Sequence, residues 1–262
     1  MTPLVTGLSI TAVKGTRLRS VSEVRLERSG VREDRRFFLI NAGDRMINGK
    51  AHGALNAVLA DYDDGERRLA LTFPGGTGVD GVVEPGAPVT ARFYSGSVET
   101  REIAGPWSQA LSAFLGEEVR LVEAPDQRAG VDRGVRGAAT VISRASLARL
   151  AEAGSVADVD GRRFRMLIEI DGVGAHAEDE WIGCSVRFGA ALVAVRGNVG
   201  RCLITSRAPD SGEIDLPTLD ILRSYRGALQ TTEPLPFGVY GEVLQAGTVR
   251  LGDAVAVAGA DS

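Results

Sequence analysis

Cysteine, histidine and lysine are scarce in this chain. Its 262 residues include two cysteines and two histidines, and among 30 basic residues only Lys14 and Lys50 are lysines. The two cysteines, Cys184 and Cys202, are too few for a disulfide framework. Because no Cys-x2-Cys or His-x3-His pair occurs, the sequence also argues against a zinc site. Because arginine is so abundant, an arginine at a given position is weak evidence of a functional role, and a lysine is stronger evidence.

Long apolar runs and a positive net charge are also absent. No run approaches the roughly 20 apolar residues that a membrane span requires, and the start of the chain lacks a basic segment followed by an apolar core. The net charge of -4 argues against a nucleic-acid binder, which needs a basic face. We therefore expect a cytoplasmic protein that binds neither membrane nor nucleic acid.

The first hundred residues alternate short apolar runs with glycine, proline and charged residues. Runs of this length that are rich in Val, Ile, Phe and Thr predict β-strands separated by turns. Closure into a barrel would remove the exposed edges of so many short strands. The runs are "LVTGLSITAV", "VSEVRLE", "RRFFLIN", "RRLALTFP" and "APVTARFY", and "PGGTGVDG" is predicted to be a loop.

Three segments have the pattern of a helix, and the remaining apolar runs predict further strands. The helix in "PWSQALSAFLG" ends at Gly116, that in "SRASLARLAEAG" begins at Ser143, and Pro217 opens a short third helix. The polar stretch "PDQRAGVDRGVRGAA" separates two halves. We predict a mainly β protein with a few helices (α+β), divided into domains 1–122 and 123–262.

Cys202 opens the run "RCLITS", which we predict to be a strand. Because strand side chains two apart share a face, Gly200 would leave open space beside the thiol and Arg201 would point away. Free cysteine is among the most buried residue types, which favours a core thiol at Cys202. A nucleophile and a metal ligand are the two alternatives. For Cys184 we keep the core interpretation.

The other polar clusters are less informative. His176 and Cys202 form a Cys-His pair in principle, but nothing in their spacing supports one. The acidic cluster "HAEDEW" favours a solvated turn before a buried Trp181 over paired catalytic carboxylates. "PGGTG" lacks the Lys-Ser/Thr ending and the helix of a phosphate loop. The residues alone thus predict a mainly β protein with one notable cysteine.

Seven segments, in order, resemble the two-domain MOSC family, named for the C-terminal domain of molybdenum cofactor sulfurase and including the mitochondrial amidoxime-reducing component. Lys14 in "SITAVKG" corresponds to the family's pocket lysine, and "GVREDRRFFLIN" aligns Asp34 and Arg35 with its Gly-x-x-x-Asp-Arg stretch. Arg165 lies in "RRFRMLIEI", which is similar to the family's Arg-Phe-Arg-Pro-Asn strand. Cys202 matches its Arg-Cys segment. The other three segments are "VISRASLARL", "AEDEW" and "GVYGEVLQAGTVRLGD".

This resemblance implies a MOSC β-barrel domain preceded by a β-rich MOSC_N-like domain. It also implies a molybdenum cofactor (molybdopterin) at their junction, with the metal ligated by Cys202 and the pterin phosphate held by basic residues, namely Lys14, Arg35 and Arg165. A soft thiolate suits molybdenum, and these cations would form charge-assisted hydrogen bonds to phosphate. For Arg35 and Arg165, surface or ion-pair roles remain open. Since no flavin or iron-sulfur motif occurs, electrons would come from an external donor protein.

Several positions depart from the family pattern and remove neutral hydrogen-bonding groups. A buried cofactor atom without a partner costs about 1–3 kcal/mol, so several such losses weaken binding by orders of magnitude. The departing residues are Gly15 after the lysine, Leu167 in place of the Asn, Gly200 two residues before the cysteine, and the region of Val135 and Arg136 before the Ala-Ser-Leu segment.

Three hypotheses for function follow. The first is a molybdenum-cofactor oxidoreductase that removes oxygen from a small substrate, such as an N-hydroxylated compound, with Cys202 as metal ligand. The second is cofactor-independent sulfur transfer or related small-molecule chemistry, in which Cys202 is a persulfide carrier or nucleophile in a basic pocket. The third is a binding module without chemistry, for which Cys202→Ser would be neutral. The surviving cysteine and basic residues favour the first two.

Overall fold

The computed structural model describes residues 2–47, 49–93, 96–125, 133–231 and 233–260. Its α-helices are α1 (Trp107–Leu115), α2 (Arg144–Ala153) and α3 (Thr218–Arg226). Its strands are β1 (Leu4–Ile10), β2 (Arg19–Ser20), β3 (Glu23–Leu26), β4 (Phe37–Asn41), β5 (Leu59–Asp63), β6 (Arg68–Thr72), β7 (Gly78–Val82), β8 (Glu84–Phe93), β9 (Gly96–Ala104), β10 (Val119–Glu123), β11 (Ala139–Ser143), β12 (Ile168–Asp171), β13 (Cys184–Phe188), β14 (Ala191–Asn198), β15 (Val239–Gln245), β16 (Gly247–Arg250) and β17 (Val255–Ala260). The predicted class, mainly β with a few helices, is confirmed.

The helices begin and end where their capping residues predict. Gly116 follows α1 with a φ of +73°, a conformation that glycine adopts without steric cost. The Ser143 hydroxyl caps α2 by accepting the Ser146 backbone N–H at 3.1 Å. Pro217 directly precedes α3. These local signals were sufficient because capping depends on neighbouring residues alone.

Three strands of the N-terminal half, β1, β2 and β3, belong to sheets of the C-terminal half. The largest sheet has the order β17-β13-β14-β15-β11-β12-β1-β2, and β1 lies antiparallel to β12. Strand β3 pairs with β16. The remaining N-terminal strands form two sheets, β4-β10-β9-β8 and β5-β6-β7. The division into domains 1–122 and 123–262 stays a prediction, and both of these pairings cross it.

No sheet of the described residues closes into a hydrogen-bonded ring. The large sheet nevertheless curls, as an isolated bridge shows that joins Leu4 of β1 to Ala254, the residue directly before β17. Beneath the sheet lies a cluster of buried aliphatic and aromatic side chains that includes Val5 and Leu8 from β1 and Phe188 from β13. The first strand is therefore part of the core of the C-terminal half.

Two segments differ from the sequence-based expectation. "PGGTGVDG" was predicted to be a loop, but its second half is the start of β7, which pairs with β6. Because this segment is rich in glycine, it lacks the side-chain alternation that predicts a strand, and its strand conformation is held by backbone hydrogen bonds to β6. In the predicted boundary stretch, residues 126–132 lie outside the described residues, and Gly134–Gly137 forms a 3-10 helix.

Connections from both halves meet on one side of the large sheet. The Arg35 backbone N–H donates to the Thr11 carbonyl at 2.6 Å, so the approach to β4 lies against the segment after β1. The guanidinium of Arg165, just before β12, donates to the Thr16 carbonyl at 2.7 Å. These contacts enclose a cavity between the segment that follows β1 and the segment that precedes β12.

Candidate functional site

A cavity of about 260 Å³ lies where these connections meet. Lys14, Arg35, Arg165 and Cys202, the four residues predicted for a site, all lie in its wall. The other lining residues are Gly15, Gly30, Val31, Asp34, Met46, Gly49, Lys50, Arg133, Gly137, Ala138, Thr140, Phe164, Met166, Leu167, Val199, Arg201 and Ile204. Four positions far apart in sequence are thus brought to one place.

Cys202 is an exposed thiol in this wall rather than a core residue. The predicted strand at "RCLITS" is wrong, because Cys202 immediately precedes a 3-10 helix, Leu203–Ser206. The helix is favoured locally, since both the backbone N–H and the hydroxyl of Thr205 donate to the Cys202 carbonyl, at 3.1 and 3.0 Å. The core interpretation of Cys202 is therefore wrong, and its thiol is accessible from the cavity.

The space beside Gly200 is filled, contrary to the expectation that it would be open. A Cβ on Gly200 would lie 2.6 Å from the Glu233 Oε2 atom and 3.1 Å from the Pro234 carbonyl oxygen. The Arg201 backbone N–H also donates to that carbonyl at 3.1 Å. Glycine is needed here because the chain around Pro234 packs directly against the segment that bears Cys202.

Arg35 and Arg165 form the first cationic group of the wall. The guanidinium of Arg35 donates to the carboxylate of Asp34 and, at 2.8 Å, to the carbonyl of Arg165. Both arginines have left-handed backbones, with φ of +53° and +56°. Non-glycine residues pay for this conformation, and such strain concentrates at functional sites. The fold thus holds two guanidinium groups at the cavity at a conformational cost.

The positive charge of Arg165 is poorly compensated. Burial, together with the neighbouring Arg35, lowers the pKa of Arg165 to about 9, and Asp34 only partly opposes this. The guanidinium donates to a neutral acceptor, the Thr16 carbonyl. An anion in the cavity would stabilise this charge.

Asp34 organises the loop around this group. Its Oδ1 atom accepts the Thr11 backbone N–H at 3.0 Å, while Oδ2 accepts from Arg35. The Thr11 and Thr16 hydroxyl oxygens lie 2.7 Å apart beneath the same loop. Asp34 is 6% exposed, and its two oxygens hold this loop and the Arg35 side chain in place.

Lys14 and Gly15 form another part of the wall. The Lys14 backbone N–H donates to the Phe37 carbonyl at 2.8 Å, and its Nζ lies 6.0 Å from the centre of the Phe93 ring. Gly15 has a φ of +99°. The departure from the family's polar residue at this position therefore has a backbone cause: a side chain there would be strained.

Arg201 was not assigned to the site from the sequence. Its guanidinium is buried and donates to the carbonyls of Phe237 and Phe164, at 2.8 and 2.9 Å from Nε and Nη1. Burial, together with the nearby Arg133, lowers the pKa of Arg201 to about 9, and Cys202 and Glu233 only partly oppose this. The side chain therefore supports the cysteine segment from behind, although alternation in a strand had predicted that it would point away.

Arg133 was also missed. It lies in the wall, where its Nη2 atom is 2.5 Å from the Glu233 Oε1 atom and its guanidinium carbon is 4.8 Å from the centre of the Tyr240 ring. Arg133 falls in the polar stretch that the sequence predicted as a boundary. The two nearby departures, Val135 and Arg136, are exposed and do not line the cavity.

Leu167 and His176 are packed among neighbouring residues of the fold. Leu167, which stands in place of the family Asn, is 3% exposed, and its backbone N–H donates to the Thr140 hydroxyl at 2.8 Å. The His176 ring lies between those of Tyr225 and Phe237, with centres 5.8 and 5.6 Å away, and does not line the cavity. Burial lowers the pKa of His176 to about 4.

The acidic cluster "HAEDEW" is not a solvated turn. It forms a 3-10 helix, Ala177–Trp181, and Glu178 is fully buried. Glu178 accepts the Ser143 backbone N–H at 3.2 Å and the Ser146 hydroxyl at 2.7 Å, which explains its burial at the start of α2. The predicted burial of Trp181 is confirmed.

The cavity wall carries a strong excess of positive charge. Among its described residues, six are lysine or arginine and one, Asp34, is acidic. Arg165 and Arg201 donate to backbone carbonyls, which do not neutralise them, whereas Arg35 and Arg133 pair with the carboxylates of Asp34 and Glu233. A concave site of this kind attracts anions. The described residues contain no group of three or more His, Cys, Asp or Glu side chains placed to hold a metal ion, and no helix among them is long and apolar enough to cross a membrane.

Two family models match the chain in order. The one described as MOSC N-terminal beta barrel domain matches residues 2–118, and the one described as MOSC domain matches residues 128–256. A search of curated proteins found no match.

Two solved structures are also similar to this chain. The YuaD protein from Bacillus subtilis is 12% identical, with 97% of this chain and 94% of that chain covered and a TM-score of 0.45. YiiM from Geobacillus stearothermophilus is 14% identical, with 67% of this chain and 73% of that chain covered and a TM-score of 0.37.

Proposed function

The chain belongs to the two-domain MOSC family, and from that premise we propose that it is an oxidoreductase that binds the molybdenum cofactor and reduces a small, N-hydroxylated substrate. The observation that carries this proposal is the position of the exposed Cys202 thiol in the same cavity as the predicted cations. The proposal includes the cytoplasm as its location and a separate protein as its electron donor.

The residues present suit this cofactor chemically. Cys202 offers a soft sulfur ligand, which molybdenum accepts. Arg165 offers a guanidinium group whose charge is incompletely neutralised, and Arg35, which pairs with Asp34, and Lys14 lie in the same wall. In the proposal these three cations hold the pterin phosphate through charge-assisted hydrogen bonds.

The chain's own residues would prepare the site for this chemistry. When bound, the cofactor supplies oxygen-atom transfer coupled to two electrons. Asp34 holds Arg35 towards the cavity, and the Thr205 contacts fix the carbonyl of Cys202. Arg201 lies behind the cysteine, where its positive charge attracts a thiolate.

Metal and pterin analysis tests the proposal. We expect the full chain, purified from a host that makes the cofactor, to contain about one molybdenum and one pterin per molecule. Cys202→Ser should lose the metal, whereas Cys184→Ser should keep it because Cys184 lies outside the cavity wall. A folded wild-type protein without molybdenum or pterin would overturn the proposal.

Sulfur transfer is the second candidate, favoured by the loss of neutral polar groups from the wall. Leu167 is apolar, Gly15 requires its left-handed backbone, and the place beside Gly200 is taken by Glu233. In this case the Cys202 thiolate attacks the outer sulfur of a donor persulfide. The S–S bond of the donor breaks, its thiolate leaves, and Cys202 becomes a persulfide.

Mass spectrometry separates the two candidates. After incubation with a cysteine desulfurase and cysteine, sulfur transfer predicts one added sulfur on Cys202 in a protein that holds no molybdenum. Added sulfur on Cys184 alone would contradict this second candidate.

A further inference from the structure

The cysteine end of the cavity has a cationic group of its own. The positive charges of Arg133 and Arg201 repel each other, whereas Glu233 and the Cys202 thiol favour the charged form of Arg201. Arg35, Arg165 and Asp34 form a separate group, because the charges that act on Arg165 are those two neighbours. Two arginine pairs thus serve different parts of one wall.

Arg133 is placed so that it can receive a ligand. Its guanidinium lies over the Tyr240 ring at 4.8 Å, which leaves the edges of the planar group for hydrogen bonds. Its bond to Glu233 engages Nη2, and a guanidinium carries five N–H donors. The side chains of Arg133 and Glu233 are 29% and 32% exposed, so this ion pair is open to water and to competing ions.

Glu233 indicates what kind of group fits there. It is a carboxylate that Arg133 already binds at 2.5 Å, beside the segment that bears Cys202. A ligand carboxylate would meet the same donors. The wall also includes apolar side chains, among them Val199 and Ile204, and the cavity measures about 260 Å³. The space therefore suits a small organic acid.

We propose that Arg133 recognises the carboxylate of a small organic acid substrate and directs it to Cys202, with Glu233 as the internal group that this carboxylate displaces. The inference rests on the proposed function only in taking Cys202 as the reactive centre, and it applies whether that centre acts as a metal ligand or as a sulfur carrier.

Two alkylating reagents of nearly equal size test this inference. Iodoacetate carries a carboxylate and iodoacetamide a neutral amide, and both react with the same thiolate by forming a C–S bond and releasing iodide. The ratio of their rates at Cys202 therefore cancels the thiolate fraction. It is measured by mass spectrometry at low salt, on the full chain from a host without the cofactor. Cys184, which is half-buried at the start of β13 rather than enclosed in the core as the sequence predicted, is the internal reference in the same molecule.

We expect iodoacetate to be favoured at Cys202 relative to Cys184. Arg133→Gln should lower the ratio at Cys202 by about three- to tenfold, because one nearby positive charge is lost. Arg133→Lys should retain most of the preference. Arg136→Gln is the matched control, since this exposed arginine lies outside the cavity wall, and it should leave the ratio unchanged.

Glu233→Gln provides an independent variant in case Arg133→Gln disturbs the fold. It removes a negative charge at the same place and should raise the ratio at Cys202. An unchanged ratio in both Arg133→Gln and Glu233→Gln, with Cys184 reacting as in the wild type, overturns the inference. If the protein purified from a host that makes the cofactor holds no molybdenum, while the iodoacetate preference at Cys202 is present, the proposed oxidoreductase alone is contradicted.

Discussion

Gly15 follows Lys14 in the cavity wall with a φ of +99°, and a Cβ there would lie 3.3 Å from the Leu55 Cδ1 atom. Gly15→Ser, which restores the polar residue type of the family pattern, should therefore lower the free energy of unfolding by about 1–2 kcal/mol. Urea denaturation of the two proteins measures this difference.

Gly43→Ser is the control for that substitution. Its added Cβ would have ordinary contacts, with the nearest atom 3.5 Å away, and the position is exposed. It should change stability by less than about 0.5 kcal/mol. Equal stability of Gly15→Ser and wild type would show that the loop accommodates a side chain and that the backbone does not explain this glycine.

His176 predicts a stability that depends on pH. In the native state its pKa lies at about 4, because burial disfavours the charged ring, whereas its ordinary value is 6.5. Between these values the unfolded chain binds a proton that the native state does not. Stability should therefore fall by about 2 kcal/mol as the pH decreases from about 6.5 to 4, after allowance for partial exposure.

Two histidine variants assign this effect. His176→Asn keeps a residue type that tolerates the left-handed φ of +62° and should lose this part of the acid slope. His52→Asn should retain it, because His52 lies elsewhere, 3.1 Å from Glu117. If urea midpoints from pH 4 to 7 have the same slope in His176→Asn and wild type, another group causes the acid sensitivity.

At the residue scale, the sequence identified the cavity residues that occur in recognisable motifs. Lys14, Arg35, Arg165 and Cys202 were found from the order of those motifs, and all four lie in one wall. Arg133 could not be found in this way, because its partner Glu233 is a hundred residues away and pairs with it only in the folded chain. Their functional roles remain predictions.

The 3-10 helix after Cys202 depends on Arg163 for support. This side chain is 7% exposed and donates to the carbonyls of Thr205 and Arg207, at 3.3 and 3.1 Å, and to both carboxylate oxygens of Asp215. Arg163→Met keeps a similar volume but removes these hydrogen bonds, so that, among the described residues, the Thr205 carbonyl accepts only from the Thr218 hydroxyl. Thermal unfolding should show a loss of about 2–3 kcal/mol.

Arg162 is the neighbouring control. It pairs with Asp160 and Asp210, but all three side chains are more exposed than Arg163. Arg162→Met should cost no more than about 1 kcal/mol, since water screens such pairs. A larger loss for Arg162→Met than for Arg163→Met would refute the assignment of Arg163 as the support of this helix.

At the element scale, local patterns predicted what local forces determine. Capping residues located the ends of α1 and α2, and alternation found most strands. Two elements were mispredicted because their side-chain pattern does not reveal the hydrogen bonds that hold them. Strand β7 is held by pairing with β6, and "RCLITS" contains a 3-10 helix in which the Thr205 N–H and hydroxyl donate to the Cys202 carbonyl.

For the whole molecule, the pattern of strand pairing makes the N-terminal segment indispensable to the C-terminal half. Six buried side chains of the main cluster beneath the large sheet precede residue 32. These are Val5, Leu8, Ile10, Val24, Leu26 and Val31. Composition and motif order indicated two domains but contained no signal for this exchange, since pairing between strands some 160 residues apart leaves no local pattern.

The fragment 123–262 should therefore not fold cooperatively. It lacks β1 and β3, and burial of each missing aliphatic side chain contributes about 1.5–3 kcal/mol, so the sum of six is as large as the whole stability of a typical domain. Circular dichroism on heating should show a broad, non-cooperative change for this fragment, and addition of a peptide spanning residues 2–36 should restore a sharp transition. A control peptide spanning residues 59–93, whose strands pair only within the N-terminal half, should have no effect. A sharp transition in 123–262 alone would show that the large sheet tolerates the loss of β1, and that the boundary after residue 122 separates independent folding units.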